Sequence, residues 1–247
     1  MPKIHGEAIV RLDKLLSSLG YGSRKNILSM AKKGYIVLDS SSIHDASHKV
    51  NITSDMRDRL YIKGEKLDPM PGMVLMMNKP LGVTCSHKEV GKLVYDFLPD
   101  RWRHRTPVMS TIGRLDKDTS GLLLITDDGA LSHKIIGPKN HVKKVYLVDV
   151  AAPLTKNAVD IFASGALMLR GDIKPLASAE LKIIGPKRAL ITITEGRYHQ
   201  VRRMFAAIGN RVVRLHRTQI GALKLPDTLD EGSWKILATS DVTLVFD

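Results

Sequence analysis

One cysteine, Cys85, stands among 247 residues. That count excludes an intrachain disulfide framework and any metal site built from clustered cysteines, and it fits a reducing compartment. Aromatic residues are scarce at 5%, too few for the stacked sugar subsites a glycoside hydrolase would need beside its two carboxylates. His133, His141, His199 and His216 lack a ligand spacing such as H-x-x-x-H, which argues against metal-assisted hydrolysis. No apolar run approaches the roughly 20 residues that span a bilayer. The opening stretch MPKIHGEAIVRLDK carries charges where a signal peptide has an apolar core. A soluble cytoplasmic protein is expected. Acid is also in short supply: 25 Asp and Glu against 38 Lys and Arg leave a formal charge of +13. Such an excess points to an anionic partner: nucleic acid, a phosphorylated ligand or an acidic membrane surface.

What is present suits two modest domains with an ordinary apolar share of 43%. The segment MPGM (70–73) sets a Pro and a Gly between two strand-like runs. It divides the chain into a first domain over residues 1–68, a linker over 69–73 and a second domain over 74–247. Residues 1–72 hold 12 basic and 8 acidic residues, and residues 73–247 hold 26 and 17. Both blocks are therefore basic, and both can touch the same anion.

In the first block, Leu12, Leu15, Leu16 and Leu19 recur at helical spacing, with Gly20 placed to end the helix. Ser23 can cap a second helix over 24–33, stopped by Gly34, and YIVL (35–38) follows as a strand. Arg24, Lys25, Lys32 and Lys33 lie on that second helix. Taken alone, such cations suit a solvated face near a helix C-terminus as well as they suit an RNA contact. In the second block, strands are expected at VLMMNKP (74–80), LLLIT (122–126), VYLVDV (145–150) and VVRLHR (212–217). AELKII (179–184) and RALITIT (188–194) read as a hairpin. Helices are expected at 94–99, 131–136, 156–164 (capped by Thr155) and 198–208. The fold class is α+β, with a mixed, largely antiparallel sheet flanked by helices.

Three segments carry chemistry. In GRLDKDTSGLLLIT (113–126) a polar loop holding Arg114, Asp116 and Asp118 runs into an apolar strand, so a carboxylate stands at the mouth of a half-dry cleft. Lone aspartates in such loops are more often turn formers. In KKVYLVDV (143–150), Tyr146 shares a strand face with Lys144, a pairing suited to stacking on a base. In EGRYHQVRRMFAAIGN (195–210), Arg202 and Arg203 flank an apolar helix face. From Lys187 to Arg217 eight basic residues face one acid, Glu195, where a solvated face would mix signs.

These segments also carry a resemblance. RLDKLLSSLGYGSRKNILSMAKKGYIVL resembles an S4 RNA-binding domain over roughly residues 10–67. One departure is that DSSSIHDAS stands where such domains turn tightly through Asn-Gly or Asp-Gly, so a longer or irregular hairpin is expected. GRLDKDTSGLLLIT resembles the catalytic loop of pseudouridine synthases, and NKPLG (78–82) resembles the strand-and-turn motif of the same superfamily. EGRYHQVRRMFAAIGN with VVRLHRTQIGAL resembles the RsuA-type branch, which modifies small-subunit rRNA behind an S4 domain. The match covers essentially the whole chain.

The resemblance implies roles. Asp116 matches the catalytic aspartate, Arg202 the cation that pairs with it, and Tyr146 the aromatic that stacks on the target uracil. An Arg within reach would favour the charged carboxylate and fix its orientation. Arg114 would fill the gap left by the extruded base; flipping costs a few kcal/mol. Lys144, Arg197, Arg203, Arg214 and the cluster Arg24, Lys25, Lys32 and Lys33 are the candidate RNA contacts that supply it. The reaction implied is isomerisation of uridine to pseudouridine without metal, nucleotide or redox cofactor. A nucleophile and a proton-abstracting base need the same carboxylate, so the residues alone leave that choice open. Small departures exist: Val145 stands where relatives often have Thr, and Arg202 where some have Lys. The implied substrate is 16S rRNA. A 23S rRNA synthase of the same family and a non-enzymatic S4-containing assembly factor are the alternatives. No protein partner or membrane is implied, and nothing demands more than a monomer.

Overall fold

The computed structural model describes residues 8–53 and 55–247. The first seven residues of the expected first domain, and with them half of the stretch tested for a signal peptide, lie outside the described residues. The described chain forms two compact units.

The first unit begins with β1 (Ala8–Arg11), α1 (Leu12–Ser18), α2 (Arg24–Lys32), β2 (Ile36–Leu38), β3 (Ser41–Ser42), β4 (Lys49–Ile52), α3 (Met56–Arg59), β5 (Leu60–Ile62) and β6 (Glu65–Lys66). The leucines of α1 and Ile27 and Ala31 of α2 bury one shared core with Ile36 and Leu60, as their helical spacing requires. Ser23 caps α2: its hydroxyl accepts from the Asn26 N–H at 3.2 Å. The expected irregular hairpin after β2 is corrected. Leu38 pairs directly with Ser41, so Asp39 and Ser40 alone form the turn, with φ of +50° and +64°. Positive φ at both central residues belongs to the tight hairpin turn whose twist matches the strands. Arg59 grips both Asp39 carboxylate oxygens at 2.6 Å, and Asp tolerates this conformation where bulkier residues do not.

The expected boundaries are corrected as well. Leu98–Ser110 and Thr126–Leu131 belong to the first unit with the residues up to Met73. Buried ion pairs supply the reason. Arg105 and Asp127, each 1% exposed, pair at 2.9 Å. The same guanidinium donates to the Pro69 carbonyl at 2.9 Å, and the other Asp127 oxygen accepts from the Gly72 N–H at 2.7 Å. The presumed linker 69–73 is thus hydrogen-bonded into the unit. Arg101 likewise grips Asp68 through two bonds of 2.6 and 2.8 Å.

The rest of the chain supplies β7 (Val74–Lys79), β8 (Ser110–Ile112), β9 (Ser120–Thr126), α4 (Gly129–Ile136), β10 (Lys144–Val150), α5 (Lys156–Ala163), β11 (Glu180–Gly185), β12 (Arg188–Ile193), α6 (Gln200–Ala207), β13 (Val212–Ile220), β14 (Leu223–Lys224), β15 (Trp234–Ile236) and α7 (Thr239–Thr243). They build a mixed sheet in the order β11-β12-β10-β13-β9-β7-β15, with β14 on β13 and β8 on β9. Pairing is antiparallel along β11, β12, β10 and β13, while β13 runs parallel to β9. Every residue of β7 and β9 is buried. That explains their unbroken apolar runs, since a strand covered on both faces does not alternate. Phe162 of α5 meets Phe205 of α6 edge-on, with centroids 5.1 Å apart. Two details differ from expectation. Thr155 precedes α5 without a side-chain cap bond. The last basic helix starts at Gln200, because His199 adopts φ +48°.

Candidate active site

The polar loop between β8 and β9 is held from beneath by a lysine. Lys79 ends the apolar strand β7 and is fully buried. Its ammonium donates to the carbonyls of Pro80 (3.1 Å), Asp116 (3.1 Å) and Thr119 (2.8 Å). Burial pushes its pKa down, and the three carbonyls return part of the lost hydration. The Asp116 main chain is thereby anchored while its side chain stays one-third exposed.

That side chain opens on a cavity of about 420 Å³ which Arg114, Tyr146, Tyr198, His199 and Arg202 also line. Loop, central strand and helix start thus bring together the three residues expected to be catalytic. Their pairing differs from expectation. Arg202 donates through Nη2 to the Asp118 carboxylate at 3.0 Å and to the Asp118 carbonyl at 2.8 Å. Among the described residues, the basic side chain within ion-pair distance of Asp116 is His199, whose Nε2 lies 3.5 Å from Oδ1. Two acceptors on one residue hold the guanidinium better than one distant carboxylate. The Arg202 Nε is buried without a partner among the described residues. His199 in turn lies against the ring of Tyr198, with centroids 4.0 Å apart.

Tyr146 is buried on β10 and forms a wall of this cavity. Behind it stands Arg217 of β13, 4% exposed, with its guanidinium 5.9 Å from the ring centroid. Its Nη1 donates to the Tyr146 hydroxyl at 3.4 Å and its Nε to the Leu122 carbonyl at 2.7 Å. The backbone of Arg217 pairs with Gly121 in the parallel ladder.

The expected RNA contacts separate into groups. Arg114 is exposed at the cavity mouth. Lys25, Lys32 and Lys33 are exposed on and just after α2. Arg24 is exposed too, but its guanidinium is committed to the buried carboxylate of Asp13, which also holds Arg11. Arg197 and Arg203 are equally committed: both pair with Asp172, at 2.8 and 2.5 Å. They clamp the loop that contains Asp172 rather than projecting as open cations. Arg214 is exposed, but alternation along β13 sets it with His216 on the face away from Arg217. His216 contacts the Ser120 hydroxyl at 2.8 Å. Lys144 is half-buried beside the cavity, and burial followed by the charge of Arg217 lowers its pKa to about 8.

His199, Arg217 and Lys79 were not singled out as site residues from the sequence. For Lys79 a signal existed in NKPLG. For Arg217 the signal was an arginine inside an otherwise strand-like run. Nothing marked His199 above other histidines. Among the described residues no group of three or more His, Cys, Asp or Glu is arranged to hold a metal ion, and no helix is long and apolar enough to cross a membrane.

Comparison with known proteins adds to this geometry. A family model described as RNA pseudouridylate synthase matches residues 73–207. The Ribosomal small subunit pseudouridine synthase A of Pasteurella multocida is 37% identical over 94% of this chain and 98% of its own length. An uncharacterized RNA pseudouridine synthase of Bacillus subtilis, YtzG, is 36% identical over 96% of this chain and 98% of its own. A crystal structure of a pseudouridylate synthase matches with a TM-score of 0.67 and 36% identity, over 96% of this chain and 99% of that one.

Proposed function

The chain belongs to the RNA pseudouridylate synthase family, and from that premise we propose that it converts one uridine of small-subunit ribosomal RNA to pseudouridine. The observation that carries this reading is the convergence of Asp116, Tyr146, Arg114 and Arg202 on one 420 Å³ cavity, a size suited to a small ligand. The small-subunit assignment rests on likeness to relatives such as the Ribosomal small subunit pseudouridine synthase A of Pasteurella multocida.

In this reading Arg114 enters the stack as the uridine leaves it, and the uracil lies on the Tyr146 ring. The one-third-exposed Asp116 carboxylate acts on the nucleoside as the C1′–N1 bond breaks. The ring turns, C5 bonds to C1′, and the C5 proton is lost while N1 gains one. Atoms balance, so no oxidant or co-substrate is consumed. Arg202 acts as a tether: by holding Asp118 it fixes the loop two residues from Asp116. Lys79 fixes the same loop from below. The first unit serves as an S4-like module whose Lys25, Lys32 and Lys33 hold RNA phosphates. Arg203 and Arg197 shape the cavity rim through Asp172.

Tritium release from ribosomal RNA labelled at uracil C5 tests the chemistry. The wild type is expected to release tritium and Asp116→Ala to release none; an active Asp116→Ala protein would overturn the assignment. An inert wild type on authentic subunit RNA would instead favour a non-enzymatic assembly factor. Pseudouridine mapping in cells with and without the protein tests the target, and loss of a large-subunit site alone would overturn the small-subunit reading.

A further inference from the structure

Adjoining the first cavity, and sharing Tyr146, Arg114 and Arg197 with it, is a second one of about 360 Å³ that Lys144, Arg217 and Glu195 also line. Its charges are one-sided in effect. Glu195 is already engaged: its carboxylate accepts from the Ala177 N–H at 3.0 Å, Arg197 at 3.1 Å and Gln200 at 3.2 Å. Arg197 is committed to Asp172, and Arg114 is exposed. Lys144 has no hydrogen-bond or ion-pair partner among the described residues. Arg217 is more than nine-tenths buried, and its Nη2 is enclosed without a partner among the described residues. A half-buried cation beside a buried one, with no free anion facing either, carries a desolvation cost. A ligand that brings negative charge to this place would offset that cost.

We infer that Lys144 and Arg217 form an oxyanion site for the uracil ring itself, stabilising the negative charge that its carbonyl oxygens gain when the glycosidic bond breaks. This rests on the proposed isomerase chemistry. When C1′–N1 cleaves heterolytically, the electron pair departs with N1 and delocalises onto O2 and O4. The deficiency at C1′ is compensated by the Asp116 carboxylate. When C5 bonds to C1′ the pair returns to the new bond, the C5 proton leaves to solvent and N1 takes one up. The charge exists only between those events, so cations placed for it favour the reacting state over the bound ground state. Burial selects the ring over a phosphate. A phosphodiester must trail its chain to solvent and is better met by the exposed Arg114, whereas a planar ring on Tyr146 can present an edge to a group only 4% exposed. The lowered pKa of Lys144 agrees with a half-buried, unpaired cation beside Arg217.

Single-turnover kinetics on labelled RNA tests this. Lys144→Met is expected to slow the chemical step by roughly 100- to 1000-fold, the range for loss of one preorganised donor. RNA affinity and the melting temperature should be unchanged. Lys144→Arg should recover most of the rate. The groups facing Lys144 are Arg217, Arg114, Arg197, Glu195 and Tyr146, of which the arginines stay charged across the window tested. The wild-type rate should therefore fall as pH rises through about 8, where Lys144 loses its proton. In Lys144→Arg that limb should vanish, because a guanidinium keeps its charge. A wild-type rate in Lys144→Met, or an unmoved alkaline limb in Lys144→Arg, overturns the inference. So does weaker RNA binding with an unchanged chemical step, which would assign the cavity to a phosphate. An inert wild type is a different failure, that of the isomerase reading itself.

Discussion

Gly121 is the point where the loop carrying Asp116, the strand it feeds and Arg217 depend on one missing side chain. Its φ is +104°, and a Cβ built there would lie 2.3 Å from the Arg217 carbonyl oxygen and 2.7 Å from its nitrogen. Both obstacles are backbone, in a parallel ladder that cannot move one strand alone. Gly121→Ala thus incurs two costs: about 1–3 kcal/mol for an L-residue at a disfavoured φ, and about 1–3 kcal/mol for overpacking. The sum, about 4 kcal/mol, is a large fraction of the ~5–15 kcal/mol that holds a domain folded. At roughly 2–4 °C per kcal/mol for a unit of this size, the melting temperature should fall by about 8–16 °C. Gly82→Ala is the control. Its φ is +78°, yet no atom lies within 4 Å of the built Cβ, so only the backbone cost applies. Near-UV circular dichroism melts of both variants, with tritium release below the transition, separate the two effects. Gly121→Ala should also be the less active, because it shifts Arg217 and the residues that follow Asp116. Equal melting temperatures for the two variants would refute the claim that β9 and β13 are locked by contact at this glycine.

Two further predictions concern the first unit. Arg105→Met strands the Asp127 carboxylate with only the Gly72 N–H and should cost about 3–5 kcal/mol; denaturant melts measure it, and Arg105→Met with Asp127→Leu should recover much of the loss. Asp13 is held at a pKa of about 2, first by its bond to Arg11 and then by Arg24, against the raising effect of burial. A depressed carboxylate stabilises above its unfolded value, and that contribution disappears as pH falls through the folded one. Stability should therefore drop between the ordinary 3.8 and about 2. Asp13→Asn should flatten that part of the curve, and an unchanged acid profile would remove Asp13 as its source.

Local pattern settled a good deal. Leucine spacing and Ser23 placed the first two helices, and the apolar runs placed β7 and β9, because burial on one face or both writes itself into the order of side chains. The motifs around Asp116, Tyr146 and Arg202 singled out three residues that the fold brings to one cavity. What order could not settle was which charge meets which. Arg197 and Arg203 read as open RNA contacts until the loop carrying Asp172 closed over them, some thirty residues away along the chain. Arg202 chose Asp118, and His199 came to Asp116, through backbone placement that no spacing records. Arg217 counted only as one basic residue among eight, yet the parallel ladder with β9 sealed it behind Tyr146. Element identity is a short-range consequence of side-chain shape and water avoidance. Ion pairing and the dryness of a charge depend on where distant segments are brought together, and only the tertiary fold fixes that.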